Sequence, residues 1–271
     1  MALDEAIFKE VNAGNSMPTL RFFTWEQPAI SIGYFQNPSS DLRLDLLKEK
    51  NIPWVRRITG GRAIFHHLEL TYSISAPHDL TISSNNLFFP NDIKGAYYKI
   101  SQGLAKGFKK LGLPVKLYSS PKEPSFSPRA TPNPLCFSTP SWYEMMIAGK
   151  KVVGSAQKRF KNGFLQQGSI LLNHRFEDFK DYFQLQQEKP NDFIGIFDFL
   201  GQQIPLADLE TILISGLEET WGIQFRQEEP TPREKELCDR LTQQKYSADQ
   251  WNLNRIYNIG TTHISTSHRP S

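Results

Sequence analysis

Cys136 and Lys151 are the two side chains in this chain whose types and spacing suit covalent chemistry. Cys136 stands in Leu135-Cys136-Phe137-Ser138-Thr139-Pro140, a proline-flanked stretch of small residues. Fifteen residues later comes Lys151, inside Gly149-Lys150-Lys151-Val152-Val153-Gly154-Ser155-Ala156-Gln157. A thiol on a loop, with an ammonium folded back onto it, is the arrangement for a covalent acyl-enzyme. The thiolate is the nucleophile, and a nearby cation raises its population. The residues alone leave other readings open: an inert buried thiol for Cys136, a solvated hairpin lysine for Lys151. Cys238, the second of two cysteines, is expected to fill core, since it shares a helical apolar face with Leu237 and Leu241.

A second segment, Arg56-Arg57-Ile58-Thr59-Gly60-Gly61-Arg62-Ala63-Ile64-Phe65-His66, pairs adjacent glycines with arginines. Glycines between strands let a backbone approach a ligand closely, and arginines favour an anionic one. Arg57, Gly60, Gly61 and Arg62 are therefore candidate ligand contacts, although a tight turn with solvated charges fits equally well. Gly154, Ser155 and Gln157 are candidates on a strand whose small side chains leave room for a ligand; close strand packing is the alternative. His66 and His67 face opposite sides of a strand and make no metal pair, so no metal is expected and His66 is read as lining the site. The chain carries no Walker loop, dinucleotide-binding fingerprint, zinc ribbon or Gly-x-Ser-x-Gly elbow.

These residues must be positioned by a chain of 271 residues with 39% hydrophobic and 22% charged residues, a soluble globular composition. No apolar run reaches the roughly 20 residues of a membrane helix. The N-terminal residues have no secretory character, and two cysteines make no disulfide framework, so a cytoplasmic protein is expected. A net charge of +3 demands no nucleic acid, although basic residues cluster over Arg56–Arg62 and Lys150–Lys161.

Periodicity predicts a helix over 2–11, two short strands over 21–34, and a helix over 41–50 capped by Ser40. A strand near 53–58 follows, then a half-buried strand over 68–75. The clearest helix is 91–111, stopped at Gly112. Five prolines between 121 and 134 predict a long loop ahead of Cys136. Paired strands flank Gly149, and Asn162-Gly163 signals a type I′ hairpin into a strand over 164–172. Helices follow over 207–221 and, after the capping box Thr231-Pro232-Arg233-Glu234, to about 245. This order is α+β: a catalytic domain over 1–203, a small helical C-terminal region over 204–256, and a disordered tail over 257–271.

Together the Arg-Arg-x-Thr-Gly-Gly-Arg segment, His66, Glu69–Ser73, Cys136-Phe137, Pro140–Glu144, Lys151–Gln157, Gln167–Leu172 and Tyr246–Asn252 resemble the lipoate/biotin protein ligase superfamily. The closest resemblance, over about residues 1–255, is to octanoyltransferases of the LipM type. It implies the biotin/lipoate ligase catalytic fold (class II aminoacyl-tRNA synthetase/biotin synthetase-like), a mixed β-sheet flanked by helices. It also implies transfer of an octanoyl group from octanoyl-acyl carrier protein to a lysine of a lipoyl domain or of glycine-cleavage H protein, with no cofactor. Cys136 would carry the acyl thioester, and Lys151 would lower its pKa and steady the acyl carbonyl. Each buried CH₂ is worth about 0.8 kcal/mol, so a chain two carbons short would lose roughly fifteenfold. His67 stands where such proteins often have Asp, and they usually carry a strand before the first helix. ATP-dependent lipoate–protein ligases share the Gly-Gly loop and the Lys-x-x-Gly-Ser-Ala strand but typically have a third Gly where this chain has Arg62. An amidotransferase acting between lipoyl domains, or a silent carrier-protein binder using the basic rim, are further alternatives. The glycine motif of biotin ligases is absent.

Overall fold

The computed structural model describes residues 1–78, 89–118, 144–184 and 192–257. Its strands are β1 (Thr19–Phe23), β2 (Ala29–Ile32), β3 (Trp54–Arg56), β4 (Ile64–His66), β5 (Glu69–Pro77), β6 (Lys116–Tyr118), β7 (Glu144–Ile147), β8 (Lys150–Arg159) and β9 (Gly163–Leu171). Its α-helices are α1 (Ala2–Asn12), α2 (Pro38–Asp41), α3 (Leu44–Glu49), α4 (Ile93–Lys110), α5 (Ile196–Leu200), α6 (Leu206–Trp221), α7 (Pro232–Leu241) and α8 (Asp249–Asn254). The expected α+β architecture holds. A six-stranded antiparallel sheet runs β1-β5-β9-β8-β7-β6, and a three-stranded mixed sheet runs β3-β2-β4.

Helix α4 lays Ile100, Leu104 and Phe108 on the large sheet, against Tyr72, Ile74 and Ile170. Helix α6 adds Leu209, Leu213, Leu217 and Trp221 to the same core. It thus packs with the elements of the first 203 residues, although it follows them in sequence. The opposite face of β5 and β9 is covered by α1, which also packs on α7. Cys238 is partly buried against this second core, as its helical position predicts.

Three local expectations fail for identifiable reasons. Strand β5 is buried along almost its whole length, not on one face. Its polar side chains are covered because α1 supplies partners: Ser73 Oγ donates to Asp4 at 2.9 Å. The expected helix over 41–50 is two helices. Asn37, not Ser40, caps the first, accepting from the Ser39 N–H at 3.1 Å. Between them Leu42 is buried and bridges to Phe183 in extended conformation, which takes it out of the helix. The Asn162-Gly163 hairpin forms, closed by Phe160 N–H on the Gly163 carbonyl at 2.8 Å, but without the positive φ angles of a type I′ turn. Gly163 is needed for a different reason: a Cβ there would lie 2.6 Å from the Ala76 carbonyl of β5.

Two distant segments meet at Glu5 of α1. Its carboxylate accepts from Lys245 Nζ at 2.7 Å and Tyr246 OH at 2.6 Å. Burial alone pushes this carboxyl up, but the Lys245 charge and both hydrogen bonds outweigh it, and the net pKa lies below the ordinary value. A depressed carboxylate contributes stability above its unfolded pKa of about 4.3 and loses it as pH falls through the folded value. Glu5→Gln is therefore expected to cost about 3 kcal/mol at pH 7, because it strands a buried ammonium. It should also flatten the acid decline of stability. Urea unfolding at pH 7 and below pH 4 checks both, and an unchanged acid limb would rule the pair out as its source.

Candidate active site

The glycine loop joins β3 to β4 and leans on the chain after β2. Gly61 adopts φ +80°, and a Cβ on Gly33 would lie 1.9 Å from the Gly61 carbonyl oxygen, so only glycine fits at either position. Tyr34 N–H donates to the Thr59 carbonyl at 2.9 Å. The Arg57 guanidinium moulds the loop from beneath. It donates to the Gly60 and Arg62 carbonyls at 2.8 and 2.6 Å and to the Ser31 carbonyl and hydroxyl, both at 3.0 Å. Arg56 is equally enclosed. It donates to the carbonyls of Gly33, Tyr34 and Gln36 on one side and of Trp251, Asn252 and Leu253 on the other. Trp251 Nε1 donates to the Arg56 carbonyl at 2.8 Å, and the Arg56 N–H donates to Asn252 Oδ1 at 2.9 Å. Burial lowers the Arg56 pKa to about 10, which leaves it charged at neutral pH. The expected basic rim is thus corrected at two of its members. Arg56 and Arg57 are internal, their donors turned to backbone carbonyls, while Arg62 is half-buried.

Behind the loop lies a directed hydrogen-bond chain. Arg57 donates to Ser31 Oγ, which lies 2.7 Å from His66 Nε2; His66 Nδ1 lies 2.5 Å from Glu69 Oε1. Every atom is satisfied when the Ser31 hydroxyl donates to Nε2 and Nδ1–H donates to Glu69. Glu69 also accepts from Thr71 at 2.6 Å and from Ser169, and the Trp25 ring stacks on His66 at 4.1 Å. His66 therefore has both nitrogens engaged and is buried behind the loop.

Strand alternation divides the remaining candidates. Gly154 pairs with Ser169, and Thr59 Oγ1 donates to Gln167 at 2.9 Å, so this sheet face looks toward the glycine loop. Ser155 and Gln157 point to the other face. There Ser155 Oγ meets Tyr72 OH at 2.7 Å, across a bare Gly168, and Gln157 donates to Gln166 at 3.0 Å. The structure does not bring these two side chains to the loop.

Lys151, on β8, is buried and forms an ion pair with the buried Glu144 of β7. A small recess opens to the surface between β4, the end of β9 and the segment that carries His174. Phe65, Leu68, Leu171, Phe179 and Phe193 wall it, and His67, His174 and Arg175 bring polar atoms. Phe193 forms a bridge with Lys151, and Ile194 N–H donates to the Lys151 carbonyl at 3.1 Å. Asp198 of α5 fixes the wall by accepting from the Asn173 side chain and the His174 N–H at 2.7 and 2.8 Å. The His174 ring lies edge-on to Phe179 and Phe193, and its buried Nε2 has no partner among the described residues. Burial pushes this imidazole below its ordinary pKa against the pull of Asp198, so it is neutral at pH 7. Among the described residues no three His, Cys, Asp or Glu side chains gather as a metal site, and no helix is long and apolar enough to cross a membrane.

Residues 1–218 match the family model of the lipoyl protein ligase A/B catalytic domain. The chain is 37% identical to Octanoyltransferase LipM of Staphylococcus epidermidis, over 93% of this chain and 92% of that one. The chain belongs to the lipoyl protein ligase A/B catalytic domain family, among its LipM octanoyltransferases. The solved fold agrees. Lipoate-protein ligase A bound with ATP superposes with a TM-score of 0.77 at 24% identity, covering 94% of this chain and 93% of that one. A putative lipoate protein ligase from T. acidophilum with bound lipoic acid gives 0.74 at 25%, covering 93% and 92%.

Cys136 of this octanoyltransferase lies outside the described residues, as do the proline-rich stretch ahead of it and the tail from 258. It stands eight residues before Glu144 (136 to 144), the first residue of β7 and the partner of Lys151. Sequence reasoning missed the recess and His174. A lone histidine before a mixed segment carries no pattern, and only the fold turns it between two phenylalanines.

Proposed function

We propose that the chain takes an octanoyl group from acyl carrier protein onto Cys136 and passes it to a lysine of a lipoyl domain or glycine-cleavage H protein. The reading rests on its place among the octanoyltransferases, together with a buried lysine, Lys151, that stands fifteen residues after Cys136 in the sequence. The Cys136 thiolate attacks the thioester carbonyl, the bond to the carrier thiol breaks, and that thiol takes up a proton. The acceptor amine then attacks the enzyme thioester, loses a proton, and the Cys136 thiolate is regenerated. Thioester exchange is close to isoenergetic and amide formation runs downhill, so the sequence of steps balances without ATP. A thiol of ordinary pKa is only a few per cent thiolate at pH 7, so Lys151 contributes most by stabilising the anion and the developing oxyanion. Glu144 holds the Lys151 ammonium in place in a buried setting.

The test is transfer without nucleotide. Purified protein, octanoyl-acyl carrier protein and an unmodified lipoyl domain are mixed in the absence of ATP, and the acceptor is analysed by mass. Octanoylation of one lysine is expected. Modification only with free octanoate or lipoate plus ATP would replace this reading with that of a ligase.

A further inference from the structure

We infer that Ser31 is a positioning residue for acyl transfer, acting through Arg57 on the Gly61 N–H of the glycine loop. The inference deepens the transferase reading and rests on it. Ser31 lies on β2 and is wholly buried. Its single hydroxyl proton goes to His66 Nε2, 2.7 Å away, because the ring proton on Nδ1 is committed to Glu69. The Ser31 lone pairs are then left for Arg57, whose Nη1 donates to the hydroxyl and to the Ser31 carbonyl, both at 3.0 Å. Held from this side, the planar guanidinium offers Nη2 in one direction, where it takes the Gly60 and Arg62 carbonyls at 2.8 and 2.6 Å. A trans peptide carries its C=O and N–H on opposite edges, so drawing the Gly60 carbonyl inward turns the Gly61 N–H outward. Gly61 is exposed and has no Cβ to crowd a ligand. The order Ser31–His66–Glu69 is that of a hydrolase triad, but burial of Ser31 and the Arg57 donor on its oxygen exclude it as a nucleophile.

Lys151 comes to the same side of the sheet by a separate device. Strand β8 pairs Val153 with Met145 but Lys151 with Met146, so Val152 is the extra residue of a β-bulge. Val152, Val153 and Met145 pack in the core that α4 covers. The bulge leaves Lys151 on the opposite face with Gly154, the face that looks toward the glycine loop. An aimed N–H and an ammonium on one side of a sheet suit the single oxyanion that forms when a thioester is attacked.

The experiment follows octanoyl transfer from octanoyl-acyl carrier protein to a lipoyl domain without ATP, on the full chain, with rates expressed per folded enzyme. Ser31→Ala should lower kcat about tenfold, the weight of one hydrogen bond to a charged group. KM should stay close to the wild-type value, because the N–H that Ser31 aims acts in the transition state. Ser31→Thr, which keeps the hydroxyl, should return most of the rate. Glu69→Gln keeps the shape of the His66 partner and removes the charge that holds the ring proton on Nδ1. It should lower kcat in the same way, and it decides the matter if Ser31→Ala does not fold. A measurement needing no variant is nitrogen NMR of the histidine rings, which should place the His66 proton on Nδ1 and none on Nε2. Wild-type kcat in Ser31→Ala and Glu69→Gln, with only the thermal midpoint lowered, overturns the inference and leaves Ser31 a structural residue. A raised KM at unchanged kcat, or a proton on His66 Nε2 in the wild type, overturns it as well. If the wild type itself transfers nothing without ATP, the transferase reading fails, a result distinct from transfer that the variants leave unchanged.

Discussion

Cys136→Ala should lower octanoyl transfer by on the order of 10³-fold or more while leaving the fold intact, because deleting a covalent nucleophile removes the reaction path and not merely a contact. The expectation is specific to this cysteine. Cys238 is partly buried against Leu237 and Leu241, on a helix that packs on α1, so Cys238→Ala should transfer at the wild-type rate. Measuring transfer in both variants at matched thermal midpoint separates chemistry from stability. Equal losses in the two would point to a structural effect of cysteine removal and away from an acyl-enzyme.

Changing Lys151 should have the second-largest effect, and it has two parts. The ammonium is buried and ion-paired with the buried Glu144, so Lys151→Ala leaves a carboxylate without its counter-charge and is expected to cost about 3–5 kcal/mol of stability. It also removes the cation that stabilises the Cys136 thiolate and the acyl oxyanion, a loss on the order of 10²-fold in transfer. The double variant Lys151→Met with Glu144→Gln separates the two, since it removes both charges and keeps the volume. It should recover most of the stability and none of the activity. Alkylation of Cys136 supplies a further readout: without Lys151 the half-point of the rate-against-pH curve should move upward. A double variant that transfers at the wild-type rate would remove Lys151 from the chemistry.

Elements with a clear period were legible in the sequence. The stripe of Ile100, Leu104 and Phe108 gave α4, and the Thr231–Glu234 capping box gave the start of α7, both close to where they occur. The family was legible because short segments recur in a fixed order over most of the chain. What the sequence hid is what depends on packing between elements. Alternation along β5 predicts an exposed face, but α1 covers that face and Asp4 satisfies it. Arg57 of the glycine loop reads as a ligand contact, yet it donates to the Gly60, Arg62 and Ser31 carbonyls and to the Ser31 hydroxyl, as its neighbour Arg56 donates to carbonyls of two further segments. Ser155 and Gln157 lie within a recognisable motif, but strand geometry turns them away from the loop. Tyr246, Trp251 and Asn252 read as part of a resemblance without a role. The structure gives them one: they clamp Arg56 and Glu5, and through Arg56 the floor of the glycine loop.

The central claim is that Cys136 carries the acyl group. The direct measurement is the intact mass of the protein after incubation with octanoyl-acyl carrier protein without ATP, followed by peptide mapping. A single octanoyl adduct on Cys136, released on adding an acceptor lipoyl domain and absent from Cys136→Ala, is the predicted result. Octanoylation of the acceptor by a Cys136→Ala enzyme at the wild-type rate, with no adduct on either protein, would contradict it.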